Sequence, residues 1–209
     1  MTVYAIVSED SPLEEGLRLI RCGEVNAVVG ETAAGPVTPE ALAAHDAVVR
    51  RLADRFDALL PVRFGETAKD EAELSKLLAP RTAQFLEALE RVRGCAQMTL
   101  RVFGEPGSIE EPTEGGPGTR YLEARRRART LPEIAPLLDA LRPLVRDERT
   151  LRHDQGSYFG TAYHLVRRED VPAYLFLVRS VETGPKVTAS GPWAPYAFAP
   201  GLSGGGSSP

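Results

Sequence analysis

Between positions 105 and 118 the chain reads EPGSIEEPTEGGPG, a stretch with four glycines, three prolines, four carboxylates and no basic side chain. Proline removes backbone donors and glycine maximises backbone freedom, so the stretch sustains neither helix nor strand and reads as an acidic linker. It separates whatever folds before it from whatever folds after it. With 209 residues in all, 43% of them hydrophobic, each side keeps enough apolar side chains for a core of its own. The expected organisation is an N-terminal domain over 1–104, the linker over 105–118, a C-terminal domain over 119–201 and a flexible tail over 202–209. Both domains are expected to be α+β.

The first domain opens with TVYAIV at 2–7 and VNAVVG at 25–30, β-branched strand candidates, with room for a short helix at 13–20 between them. Thr38, Pro39 and Glu40 supply an N-cap, an N1 proline and an acidic first turn, so a helix is expected over 38–59. The following LLPVRFG places Val62, Arg63 and Phe64 in a short edge or irregular strand, because Pro61 removes a donor. Asp70 with Glu73 forms a capping box for a second helix, which Pro80 kinks or divides and Gly94 ends; CAQMTLRVF at 95–103 is another strand. After the linker, a basic helical stretch is expected over 119–130 and a bent or segmented helix over 131–145, broken by Pro132, Pro136 and Pro143. A strand over 158–166, a short helix over 169–179 and a last strand over 186–190 complete the pattern.

The chemistry-bearing residues are few. Phosphate-loop, dinucleotide, nucleophile-elbow and zinc-protease signatures are absent, and Cys22 and Cys95 lack partners at ligand spacing, so the expectation is no catalytic residues, no cofactor and no metal. Of three histidines, His45 falls in the apolar stripe of the first helix and reads either as a general base or as a half-buried, backbone-bonded residue. His153 beside Asp154 reads as a catalytic pair or as a turn before a strand, and His164 as cross-strand packing. Net charge is −4, which weighs against nucleic acid, although 119–152 carries nine basic against five acidic groups, among them Arg125, Arg126 and Arg129. No run of apolar residues is long enough to cross a membrane and the opening residues lack a secretory pattern, so a cytoplasmic location is expected. Near the other end, SGPWAPYAFAP holds the single tryptophan; Trp193, Tyr196 and Phe198 serve equally as a partner-binding arm or as a segment sealing their own core.

VYAIV, AAHDAVVRRL leading into LLPVRFGE, and GPWAPYAF occur in this order along almost the whole chain. Together they resemble the gas vesicle protein F/L family (GvpL/GvpF), and Tyr121–Arg129 is similar to that family's basic helix. The resemblance implies a non-enzymatic accessory or minor structural protein of gas vesicles, the hollow protein shells that give cells buoyancy. It implies partners as well: the small hydrophobic shell-forming protein and other accessory proteins, met early in vesicle assembly. It further implies two domains, an α+β N-terminal one and a C-terminal one of modified ferredoxin-like type with long helices. Pro132, Pro136 and Pro143 depart from the long helices, and Ala194 stands where the family commonly has proline. The candidate contact residues are Val62, Arg63 and Phe64, the arginines 125, 126 and 129, and Trp193, Tyr196 and Phe198. The residues themselves keep two alternatives open, an enzyme built on His45 or His153 and a nucleic-acid module built on the Arg-rich helix; the oligomeric state is open too.

Overall fold

The computed structural model describes residues 1–31, 35–104, 130–153 and 157–202. It is mixed α and β, with two four-stranded sheets. The chain divides into two compact units: residues up to Ala96 together with those from Trp193 onward, and Gln97–Pro192.

In the first unit, β1 (Thr2–Val7), β2 (Leu17–Cys22), β3 (Val25–Gly30) and β4 (Leu59–Pro61) form an antiparallel sheet in the order β2-β3-β1-β4. The second half of the helix expected at 13–20 is instead the start of β2, which pairs with β3 along its whole length from Leu17 opposite Gly30 to Cys22 opposite Val25. Helix α1 (Pro39–Arg55) starts as expected, with the Thr38 hydroxyl accepting from Ala41 N–H at 3.2 Å, and stops four residues short of the expected end. Its His45, Val49 and Leu52 face the core, joined by Ala5, Val7, Val28, Phe56 and Leu59. Strand β4 is indeed at an edge but ends before Val62, so Val62–Phe64 lies outside the sheet. Helices α2 (Glu71–Leu78) and α3 (Thr82–Val92) are separated at Pro80 by a 3-10 turn. Asp70 caps α2 through Glu73 N–H at 2.8 Å, while the Glu73 carboxylate accepts from Lys69 N–H at 2.6 Å. Gly94, at φ 67°, turns the chain out of α3 and donates its N–H to Asp57 at 2.9 Å.

The second unit runs β5 (Cys95–Phe103), α4 (Ala135–Leu141), β6 (Val145–Arg152), β7 (Tyr158–Arg167), α5 (Val171–Ser180) and β8 (Lys186–Trp193), with sheet order β6-β7-β5-β8. That succession and order are those of a ferredoxin-like βαββαβ unit. The prolines at 132, 136 and 143 leave α4 a short helix between two 3-10 turns. Strand β6 was not among the expected elements, since VRDERTLR carries too much charge to look like a strand. Arg152 on β6 grips Glu133 with two hydrogen bonds, 3.1 and 2.6 Å, and the two side chains are only 14% and 13% exposed. Burial, the largest single influence, would raise the Glu133 carboxyl, but the Arg152 hydrogen bonds and charge together with a backbone hydrogen bond hold it below its ordinary range. Gly160 on β7 is required sterically: a Cβ there would meet Leu131 Cδ2 at 2.3 Å.

The structural division differs from the one expected at residue 105. Strand β5 precedes the linker but is interior to the second sheet, because hydrogen-bond partners rather than composition decide which sheet a strand joins. Residues from Trp193 onward belong with the first unit, and Leu202, placed in the tail by sequence, is 3% exposed. The linker, the arginines at 120–129, Asp154 and residues 203–209 lie outside the described residues.

Candidate functional site

The four motif segments meet around α1. Tyr4 on β1 stacks on the His45 ring, with centroids 4.9 Å apart and planes 27° from parallel, and Phe64 meets the same ring edge-on at 5.6 Å. His45 Nε2–H donates to the Val62 carbonyl at 2.9 Å, which leaves Nδ1 as a buried acceptor without a hydrogen-bond partner among the described residues. Behind Tyr4 sits Gly30, where a Cβ would come within 2.8 Å of the tyrosine ring. The Val62 N–H in turn donates to the Tyr4 carbonyl at 2.8 Å. Beyond this point Gly65, at φ 91°, turns the chain. LPVRFG is thus a segment whose main chain and aromatic ring clasp one buried histidine.

One helical turn along α1, Arg50 pairs with Asp46 at 2.7 Å and lies 4.5 Å over the Trp193 ring. Tyr196 is half-buried in the same neighbourhood; burial chiefly, helped by Asp46 and opposed by Arg50, pushes its hydroxyl well above the ordinary tyrosine range. Ala194 joins the α1 core, Phe198 is 1% exposed, and Arg81 donates to the carbonyls of Gly201 and Leu202. The closing segment therefore seals the first unit. Phe198 is buried as the sealing reading of GPWAPYAF expects, but in the first unit and not in the C-terminal domain to which the sequence assigned the segment.

Among the nine candidate contact residues, Val62 and Phe198 are buried, Phe64, Trp193 and Tyr196 are half-buried, and Arg63 is exposed. The structure brings Val62, Phe64, Trp193, Tyr196 and Phe198 into one unit. It also reveals residues that the sequence reading did not select: Asp46 and Arg50, whose i, i+4 spacing next to a tryptophan-bearing motif was the available signal, and the large exposed apolar side chains Val37, Leu42 and Phe176, 75%, 44% and 66% exposed. Val37 and Leu42 flank the α1 N-cap at the staple positions, where a hydrophobic pair usually fixes the entry of the chain.

The other two histidines are engaged locally. His153 Nε2 is 2.9 Å from the Thr161 hydroxyl and its ring meets Tyr158 edge-on. His164, 1% exposed, has Nδ1 2.8 Å from the Tyr174 hydroxyl and Nε2 3.7 Å from Glu148. Desolvation, only partly offset by Glu148, pulls His164 down to about 4, and burial pushes the Tyr174 hydroxyl up. No group of three or more His, Cys, Asp or Glu side chains suited to a metal occurs among the described residues, and none of their helices is long and apolar enough to cross a membrane.

Residues 1–200 match the family model described as gas vesicle synthesis protein GvpL/GvpF. The chain belongs to the GvpL/GvpF family. A relative named gas vesicle protein L, from a Streptomyces species, is 28% identical over 94% of this chain and 91% of its own length. Two crystal structures of gas vesicle protein GvpF share the fold: that from Microcystis aeruginosa has a TM-score of 0.69 at 14% identity, covering 95% of this chain and 98% of its own. That from Anabaena sp. has a TM-score of 0.70 at 17% identity, covering 95% and 97%. A gas-vesicle role for this GvpL/GvpF chain follows from the family, and the Tyr4, His45, Phe64 and Trp193 clusters show what its motif segments do physically.

Proposed function

We propose that the chain is an accessory or minor structural protein of gas vesicle assembly, acting in the cytoplasm and at the vesicle, which binds the small hydrophobic shell-forming protein and other accessory proteins. Family membership over residues 1–200 carries this reading. A shell subunit with a gas-facing apolar surface aggregates in water unless something covers that surface, and a partner that does so needs apolar side chains of its own in solvent. Val37 and Leu42, at the start of α1, meet that requirement in the first unit. The exposed parts of Arg63, Phe64, Trp193 and Tyr196 extend the proposed contact, whereas Val62 and Phe198 support it from inside. Arg125, Arg126 and Arg129 are proposed as a further, polar contact.

The test is a pull-down of tagged chain from cells expressing the gas vesicle gene cluster, comparing wild type, Val37→Ser with Leu42→Ser, and Trp193→Ala with Tyr196→Ala. The expected result is retrieval of the shell protein by wild type and a several-fold loss in the Val37/Leu42 variant, with unchanged circular dichroism. Retrieval of no vesicle protein by wild type would refute the binding role.

A further inference from the structure

In the second unit Val102 on β5, Phe159 on β7 and Val187 on β8 belong to the core that α4 and α5 cover. Successive side chains of a strand point to opposite faces, so Arg101, Phe103, Tyr158 and Lys186 stand on the other face of the sheet. There Phe103 and Tyr158 meet edge-on, with centroids 6.0 Å apart and planes 64° from parallel. Each ring carries a cation: the Arg101 guanidinium is 5.6 Å from the Tyr158 centroid and the Lys186 ammonium 5.9 Å from that of Phe103. His153 borders the group, its ring edge-on to Tyr158 at 5.0 Å. The rings are half-buried and both cations are exposed. Among the described residues neither Arg101 nor Lys186 has a carboxylate within ion-pair distance, whereas Arg142 and Arg167, exposed in the same unit, pair with Asp139 and Glu169. A chain with 29 acidic residues thus leaves two cations on one aromatic pair without a counter-charge.

We propose that this cluster is a docking site for an acidic segment of a partner protein, two of whose carboxylates meet Arg101 and Lys186 while an apolar side chain between them lies against Phe103 and Tyr158. Charge complementarity carries the choice of occupant. The Arg101 guanidinium offers parallel donors that match a carboxylate, and the Lys186 ammonium adds a second charge without fixed direction. Resting on the rings, both side chains are already held in place, so little further freedom is lost when an anion arrives. Single-stranded nucleic acid fits less well, because its bases stack on open aromatic faces and here the cations occupy those faces. A net charge of −4 weighs the same way. The site draws on none of the contact residues proposed above.

The test uses the full chain and fluorescence anisotropy of a labelled peptide that has two glutamates on each side of one leucine. Wild type is expected to bind it at low salt and to lose it as salt rises. Arg101→Glu with Lys186→Glu is expected to weaken that binding by about tenfold or more, with unchanged circular dichroism, and to gain binding of the matching peptide with lysines in place of glutamates. Arg142→Glu with Arg167→Glu removes the same charge from the same unit and is expected to leave binding of the acidic peptide unchanged. A wild type that does not bind the acidic peptide, or an equal loss in the two double variants, would overturn the proposal. Tighter binding of a ten-nucleotide oligothymidylate, lost in the Arg101/Lys186 variant, would make the face a nucleic-acid site instead. A tenfold gain on changing Glu105, Glu110, Glu111 and Glu114 to glutamine would mean that the chain's own acidic stretch is the occupant, and the partner assignment would fall.

Discussion

His45 and His164 are both almost wholly inside, at 5% and 1% exposure, one in each unit, yet their surroundings have little in common. His45 is held by two aromatic rings and a main-chain carbonyl, and its polar bond ties α1 to the segment after β4. His164 faces two titratable side chains, Tyr174 on α5 and Glu148 on β6. With its ring neutral, the arrangement that uses each group has the Tyr174 hydroxyl donating to Nδ1 and Nε2–H directed at Glu148. A histidine clasped by rings and backbone works as a rivet for the path of the chain. A histidine set among ionisable groups makes the stability of its unit depend on pH.

The largest effect that would sharpen this contrast is His45→Ala, which empties the space between Tyr4 and Phe64 and leaves the Val62 carbonyl unpaired. It is expected to cost the first unit about 3–4 kcal/mol in urea unfolding, followed by the emission of Trp193. An unchanged midpoint would mean that the stack is not what holds α1 in place.

Next comes pH. The folded His164 titrates near 4 against an ordinary value of 6.5, so between those values the unfolded chain binds a proton that the folded one resists. Stability of the second unit is therefore expected to fall by about 3 kcal/mol as pH drops through that window and to level off below it. Hydrogen exchange of the β7 amides in wild type and in His164→Gln checks this. An equal slope in both proteins would assign the pH dependence to other groups.

A smaller loss, about 1–2 kcal/mol, is expected for Gly30→Ala, because the added methyl group pushes the Tyr4 ring off His45. Tyr4→Ala in the same background should remove most of that penalty if the clash is its source. Arg50→Ala, which lifts a guanidinium from the Trp193 ring at a half-exposed site, should cost only about 0.5–1 kcal/mol and shift the Trp193 emission.

Local chemistry was legible in the sequence wherever a few neighbouring residues decide the outcome. Thr38 and Asp70 cap the helices they were expected to cap, Pro80 divides α2 from α3, and CAQMTLRVF is a strand over its whole expected length. The misses are long-range. LRLIRC and VRDERTLR become strands because neighbours pair with them, each at an edge of its sheet. Strand β5 looked like the end of the first domain because its partners come later in the chain. In the site, each motif is found in one dimension, and a backbone bond is one of the two readings that the sequence allows for His45. That Tyr4, His45, Val62 and Phe64 share one contact depends on packing between segments up to 60 residues apart, which periodicity does not encode.

The first unit is completed by Ala194 and Phe198, which leave the ribosome only after the whole of the second unit has been made. Its sheet and α1 are translated early but wait with an uncovered apolar seam between them. The later-made unit can close first, since its described strands and helices are contiguous in the chain. Synthesis thus delivers the closing residues of the first unit last, so the nascent chain's beginning cannot mature until its end has been released.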